Sequence, residues 1–506
     1  MRRATQTISA LGPPGQVDSA MWANPCPRRL RGRYGHQMGG SDEHRADSAY
    51  YAALLRPLVE ERRVIVAGVV LGGSSIVVDT LRSLGAADVF VLAQARGTGP
   101  VPEDTAYFDL DITARTIDQA LRATIAAVKD PPAAAIAAID EFDPDRSAIV
   151  VGDMFNEAAH IAGRRSLSYR RPEWIALEDK VVIDACWERW GVTRAPSVVV
   201  QTDLSPLVKA ASEIDEGNGT VWAGDAREGF NGGAEYARWV RNPTDAEAAA
   251  VFLGAHCDRA RVMPFLEGIP CSIHGVVFDD YVAALRPYEM VTLRHAEGPE
   301  LFYAGVGSYW DPPPADREEM RRIARRVGAA LRADVDYRGG FTIDGVMTAE
   351  GFRPTELNPR PGAALGTLSR ALPELPLPLL FPAISGGVEL DYRPTDLEEL
   401  LLSGADRVRA GGTWSVLPTP LSAVQSRAMA YDGSEWRTAE SGERAQSSLA
   451  VGHASAGSFV RLTLGPDWPV GQSIAPAAAA FWRFVTRTLD PSLPTVLPAH
   501  DVRRTT

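Results

Sequence analysis

The chain has 506 residues, 45% apolar and 23% charged, the proportions of an ordinary folded protein, which exclude a disordered, collagen-like or disulfide-stapled chain. At roughly 100 to 200 residues per domain, this length holds about three or four units. Its 64 acidic residues outnumber 52 basic ones for a net charge of −12, the wrong sign for a nucleic-acid or anionic-membrane surface, so neither is expected as a partner.

Residues 1–47, rich in Arg, Gly, Pro and Ser without periodicity, are expected to form a mobile arm. The opening MRRATQTISALGPPGQ lacks the continuous apolar stretch of an export signal. The best candidate for a membrane span, Val64 to Leu71, breaks at Gly72-Gly73, short of the roughly 18 residues required. Four cysteines (Cys26, Cys186, Cys257 and Cys271) without C-x-x-C spacing support neither a disulfide framework nor structural zinc, and the expected compartment is the cytoplasm. Cys186 shares an apolar helical row with Val182 and Trp190 and reads as core.

Residues 48–165 read as an α/β domain. RRVIVAGVVLGG predicts a strand, SSIVVDTLRSLG a helix and ADVFVLAQ a second strand, a βαβ unit, and SAIVVGDMF predicts a further strand. VLGGSS lacks the G-x-G-x-x-G spacing, and LAQARG lacks the ribose-binding carboxylate, of a dinucleotide site. Residues 166–385 alternate helices and strands and hold the informative motifs. Residues 386–506, from the helical DLEELLLSG through strand-like TWSVLPTP, SRAMAYDG and SFVRLTLG to the helix PAAAAFWRFVTRTL, read as a small α+β cap.

In the central region, RRPEWIALEDKVVIDACWERWGV places Lys180 directly after Asp179, a candidate N-cap of the helix carrying Trp187 and Trp190, where anions are favoured. GTVWAGDAREGFNGGAEYARWV predicts strand, loop and strand. Gly229, Asn231, Gly232 and Gly233 make either a mobile phosphate-approaching loop or an Asn-Gly hairpin turn. ALRPYEMVTLRH sets Arg286, Glu289, Arg294 and His295 on a strand. Arg286 and Arg294 are candidates to hold a substrate carboxylate, with surface ion pairing as the other reading, and His274 reads as a half-buried structural histidine.

The strongest signal is GGFTIDGVMTAEGFRPTELNPRPG, residues 339 to 362. Two β-like runs flank Ala349-Glu350-Gly351 and predict a hairpin; centring the turn on Glu350 sets Asp344 opposite Glu356, with Glu356 and Asn358 on one face. Opposed carboxylates repel unless a cation lies between them, and hard oxygen donors point to Mg²⁺. Arg360, two residues beyond Asn358, is suited to phosphate oxygens. The competing reading makes Asp344-Gly345 itself a tight turn.

At Asp344 and Glu356-Leu357-Asn358-Pro359-Arg360 the sequence resembles the ATP-grasp superfamily, whose catalytic hairpin carries an acidic residue on one strand and E-x-N-P-R on the next. The likeness covers about 166–385 and the preceding α/β region. It implies a multidomain α/β fold: a Rossmann-like domain, an ATP-grasp domain and a small C-terminal α+β domain. By resemblance, Asp344, Glu356 and Asn358 bind Mg²⁺ that holds ATP, Arg360 assists at the γ-phosphate, Lys180 contacts the nucleotide, and the Gly229, Gly232 and Gly233 loop is a flexible lid. Two departures stand out. Ala223 occupies the place of the family's usual strand lysine, for which Arg227 is the candidate substitute, and VMPFLEGIPCSIHG has Glu267 shifted and Ile269-Pro270 at the usual acidic positions. The implied activity is an ATP-dependent carboxylate-amine ligase joining small-molecule acids and amines, such as amino acids or peptides, through an acyl phosphate. A nucleotide-binding protein without turnover is the alternative, and an ATP-dependent carboxylase or kinase would differ in the acceptor.

Overall fold

The computed structural model describes residues 45–503, so the expected arm lies outside the described residues except for its last three. Those three are docked: Ala46 N–H donates to Asp396 Oδ2 (3.0 Å), and Asp47 accepts from Tyr50 N as the N-cap of α1 (Ser48–Val59). From α1 the chain runs through β1 (Arg63–Val69), α2 (Ser75–Ser83), β2 (Asp88–Ala93), β3 (Ala106–Asp109), α3 (Ile117–Lys129), α4 (Ala133–Phe142) and β4 (Ile149–Gly152). The strands form a parallel sheet in the order β3-β2-β1-β4. Their apolar runs do not alternate because both faces are covered. Val64, Val66, Val89 and Val91 join a core with α1 and α2, while Ile65, Phe90, Leu92 and Val150 pack with α3 and α4. Strand order reverses between β1 and β4, which opens a crevice beyond their carboxyl ends.

A two-residue ladder of β5 (His160–Ile161) with β6 (Arg164–Arg165), then α5 (Pro172–Ile175) and α6 (Ile183–Arg189), leads to a second, antiparallel sheet. It contains β7 (Val198–Gln201), β8 (Thr220–Gly224), β9 (Ala237–Val240) and β10 (Arg259–Pro264) in the order β7-β10-β8-β9. Helices α7 (Leu204–Ile214) and α8 (Pro243–His256) cover the face that presents Trp222 and Val262. Ala223 and Arg261, one residue out of phase, therefore point to the other face.

The third sheet begins with β11 (Ile269–Val277), β12 (Val282–Ala284), β13 (Tyr288–His295) and β14 (Leu301–Gly307). After the long α9 (Pro314–Val335) it gains the hairpin β15 (Gly339–Thr348) and β16 (Gly351–Asn358). Met320, Ala324, Val327 and Leu331 form one stripe of α9 and bury Phe341, Ile343 and Leu357 from behind. Helices α10 (Ala364–Ala371), α11 (Leu377–Ser385) and α12 (Pro394–Arg407) follow, then β17 (Gly411–Leu417), β18 (Val424–Tyr431), β19 (Trp436–Thr438), β20 (Ser447–Ala454), β21 (Gly457–Leu464), α13 (Ala475–Thr488) and β22 (Val496–Leu497).

The C-terminal strands do not make a separate sheet. The ladder runs β16-β15-β11-β13-β14-β17-β21-β20-β18-β19 without interruption, and β14 joins β17 through Gly305↔Thr413 and Gly307↔Gly411. Gly305 and Gly411 hold φ of +131° and +152°, and a Cβ on either would come within 2.4 Å of the opposite backbone, so glycine is required at this junction. Among the described residues no helix is long and apolar enough to cross a membrane. Cys186, Cys257 and Cys271 are buried free thiols, and Cys26 lies outside the described residues.

Candidate active site

The hairpin sets Asp344 opposite Glu356 and Thr342 opposite Asn358. Its turn is the two-residue Ala349-Glu350, so Thr348 pairs with Gly351 and Gly345 with Pro354. Continued unbroken, that register would put Thr355 across from Asp344. A bulge between Gly345 and Asp344 absorbs Thr355, whose hydroxyl donates to Asp344 O (3.3 Å), and brings Glu356 to the Asp344 face. Asp344 therefore lies inside β15, which removes the reading of Asp344-Gly345 as a turn.

The polar atoms on this face are connected. Asn358 Nδ2 donates to Asp344 Oδ2 (2.9 Å), and Arg360 Nη2 donates to Asn358 Oδ1 (2.9 Å). Lys180, 8% exposed, holds its ammonium 3.4 Å from Glu356 Oε2 and donates to Asn231 Oδ1 (2.8 Å) and Asn231 O (3.2 Å). Burial, then the charge of Glu356, pushes the Asp344 carboxyl well above the ordinary range, with Arg360 and Lys180 opposing. Two carboxylates and an amide oxygen, with no further His, Cys, Asp or Glu among the described residues to complete a cage, match a cation that also needs phosphate oxygens and water. That donor set fits Mg²⁺.

Lys180 sits on the turn before α6 rather than at its start. The helix begins at Ile183, and Asp179 instead accepts from Val181 N (3.0 Å). The glycine segment is a long loop between the antiparallel β8 and β9, not a tight Asn-Gly turn. It is tied from below: Gly232 N–H donates to Asp118 Oδ2 of α3 (2.8 Å), and Asn231 Nδ2 to Asp225 O (3.0 Å). Burial, reinforced by Glu235, pushes the Asp118 carboxyl up to about 7. Gly229 and Gly233 have φ of +91° and +57°.

Lys180, Asn231, Asp344, Glu356, Asn358 and Arg360 are thus joined in one cluster, with Gly232 beside it. The remaining candidates are engaged elsewhere. Arg227 pairs with Asp258 (3.2 Å) and caps α8 through Ala255 O, and Gly229 N–H donates to Ala226 O (2.8 Å). Arg286, 3% exposed, pairs with Asp311 (2.9 Å) and Asp406. Arg294 grips Glu267 with two hydrogen bonds (2.9 and 2.5 Å). His274 is buried with no hydrogen-bond partner for Nδ1 among the described residues, and burial pushes it down to about 4, so the ring is neutral.

Sequence reasoning missed two groups. Arg261 of β10 lies directly across from Ala223 on the same face, is 4% exposed, donates to Asp184 (3.1 Å), and leaves Nε without an acceptor among the described residues. Glu178 is shared by Arg170 (2.7 Å) and Arg360 (3.0 Å), and the Arg360 guanidinium lies over Phe155 and Phe230 at 4.7 and 5.4 Å. Two arginines at period-two spacing, Arg259 and Arg261, in the otherwise apolar strand RARVMP were the available signal for the first; the second has none.

No family model and no curated protein matches the chain. Solved structures do. The biotin carboxylase domain of Hydrogenobacter thermophilus 2-oxoglutarate carboxylase, in complex with MgADP, ADP and bicarbonate, shares 13% identity over 87% of this chain and 91% of that one, with a TM-score of 0.50. Rhizobium etli pyruvate carboxylase shares 13% over 85% of this chain and 37% of its own, with a TM-score of 0.51. At such identity the likeness shows the fold. This chain has the ATP-grasp fold, with a four-stranded parallel sheet ahead of the large antiparallel sheet that carries the hairpin.

Proposed function

We propose that the protein is an ATP-dependent carboxylate-amine ligase working through an acyl phosphate. The observation that carries the reading is the opposed pair Asp344 and Glu356, bonded to Asn358 and ion-paired to Lys180, with Arg360 one hydrogen bond away. A structural hairpin gains nothing from such a pair. Asp344, Glu356 and Asn358 are the residues to hold Mg²⁺, which when bound neutralises charge on the nucleotide phosphates.

The chain's own groups supply the rest. Lys180 and Arg261 face the transferred phosphates with positive charge, Arg261 from the strand next to the missing lysine. Arg360 orients the acid. One oxygen of the acid attacks the γ-phosphorus, the bond to the ADP oxygen breaks, and an acyl phosphate forms. The amine attacks its carbonyl carbon, phosphate leaves with the oxygen it took, and the nitrogen gives up one proton to the departing phosphate. Phosphoryl transfer of this kind needs positioning and charge stabilisation more than covalent chemistry. The loop from Asp225 to Tyr236 excludes water, which would otherwise hydrolyse the acyl phosphate.

A nucleotide-binding protein without turnover is the reading that Ala223 alone would favour; Arg261 opposite it, with Nε unpartnered among the described residues, supports the enzyme reading instead. The test is ADP release with mixed pools of amino acids and small carboxylic acids, followed by mass analysis. ADP formation dependent on both an acid and an amine is expected. Nucleotide binding with no ADP from any pool contradicts the reading.

A further inference from the structure

Against Arg360, and lined by none of Asp344, Glu356 and Asn358, lies a cavity of about 230 Å³ between the parallel sheet and the segment after the hairpin. It opens at the carboxyl ends of β1 and β4, where strand order reverses, the place where open α/β sheets bind ligands. Its walls differ in kind. Val66 and Val69 of β1, Val77 of α2, Val151 of β4, and Leu377 and Phe381 of α11 make one side apolar. Asp153, Arg170 and Arg360 make the other side charged.

The charged side is incompletely paired. Arg170 is 6% exposed; its guanidinium lies 2.7 Å from Glu178, and none of Nε, Nη1 and Nη2 makes a well-formed hydrogen bond among the described residues. Arg360 Nε, 3.0 Å from the other oxygen of Glu178, also lacks a hydrogen bond. Two guanidiniums thus share one carboxylate. Asp153 does not fully balance them: its Oδ1 is taken by Phe155 N–H (3.0 Å), and burial pushes its carboxyl up to about 7, so near neutrality it carries part of a charge. Buried donors without acceptors are rare and costly, and a planar fork of N–H groups matches a carboxylate. Arg360 also reaches Asn358 (2.9 Å), so a carboxylate held here would lie next to the Asp344 and Glu356 cluster.

We infer that this cavity binds the acid substrate, and that the acid is a monocarboxylate with an apolar body. The carboxylate lies on Arg170 and Arg360, and the hydrocarbon lies along Val69, Val77, Leu377 and Phe381. A second carboxylate or a strongly polar body would be desolvated against that wall without a partner. The fate of the bound carboxylate rests on the ligase reading; its binding does not.

The test is calorimetry without nucleotide, using 3-phenylpropanoate and hexanoate, 3-phenylpropanamide and succinate. Both monocarboxylates should bind at least tenfold more tightly than the amide or succinate. Arg170→Gln should reduce acid binding to the level of the amide. Val77→Phe, which fills the cavity from a half-buried helix position, should weaken 3-phenylpropanoate at least tenfold at an unchanged melting temperature, and it carries the test if Arg170→Gln does not fold. Equal binding of acid and amide, preference for succinate, or an indifferent Val77→Phe overturns the inference. ADP release is then measured with the same acids. Acid binding with no ADP formed keeps the cavity assignment and removes the ligase reading. ADP formed with succinate, with neither monocarboxylate bound, does the reverse.

Discussion

Glu356→Gln keeps the shape of the hairpin and removes one of two charges that face each other. Residues directly opposed across an antiparallel pair have Cβ atoms about 5 Å apart, and at an effective dielectric of about 20 two unit charges at that distance repel by roughly 3 kcal/mol. Lys180, 3.4 Å from Glu356, attracts it by roughly 5 kcal/mol at the same dielectric, more than the repulsion, and the amide would leave that buried ammonium without its partner carboxylate. The ligand-free variant should therefore melt at or below the wild-type temperature. The same charge attracts a divalent cation, so its loss should weaken Mg²⁺-dependent ATP binding at least tenfold. At a ligand concentration of about 100 times Kd, binding stabilises the wild type by about 2.7 kcal/mol, and a tenfold weaker site retains about 1.4 kcal/mol. Thermal melts with ATP, with Mg²⁺ and with both, on wild type and Glu356→Gln, separate these terms. The variant should show no higher a baseline and a smaller Mg²⁺-dependent increment. An undiminished increment in Glu356→Gln would refute a cation between the two carboxylates.

Arg261→Met and Lys180→Ala should each weaken ATP binding at least tenfold by calorimetry, since a charge-assisted hydrogen bond is worth about 1.5 to 3 kcal/mol; Arg227→Ala, tied to Asp258 and Ala255, should leave it unchanged. The reverse pattern would return the lysine's role to Arg227. Gly233→Ala has no steric obstacle but forces a left-handed residue at a cost of about 1 to 2 kcal/mol; it should slow turnover while the melting temperature moves by no more than a few degrees, and unchanged turnover argues against a lid. Glu289 of β13, 1% exposed with its carboxyl accepting from Ile474 and Ala475 N–H at the start of α13, is pushed up to about 7 by burial against an ordinary 4.5. The folded chain keeps a proton that the unfolded chain has released, so stability is lost as pH rises from about 4.5 to about 7, by up to about 3 kcal/mol. Chemical denaturation of Glu289→Gln should lack that slope, and a slope equal to wild type contradicts the assignment.

What sequence could reveal was local. The βαβ unit at Arg63 to Ala93 and the two strands of the hairpin are continuous patterns of one period, and both formed as expected. The pairing of Asp344 with Glu356 was reached through two offsetting features: the turn is one residue shorter than Ala349-Glu350-Gly351, and the Thr355 bulge restores the register. No periodicity announces a bulge. Asp179 resembled an N-cap, yet the backbone takes an irregular turn there before α6 begins. The break expected at residue 386 follows a change in pattern along the chain, whereas β14 and β17 pair across more than a hundred residues, a contact decided by which strand edge is free. For the same reason Arg261 opposite Ala223, and Arg170 with Arg360 around Glu178, become visible only once the strands are side by side.

The central claim is that ATP activates a carboxylate by phosphorylating it. Supply the acid with both carboxylate oxygens as oxygen-18, together with an amine, ATP and Mg²⁺, and analyse the released phosphate by mass spectrometry. One labelled oxygen should appear in each phosphate, in equal number with ADP and with the amide. ADP and phosphate released without label would mean that water, and not the acid, receives the phosphoryl group, and would contradict the account.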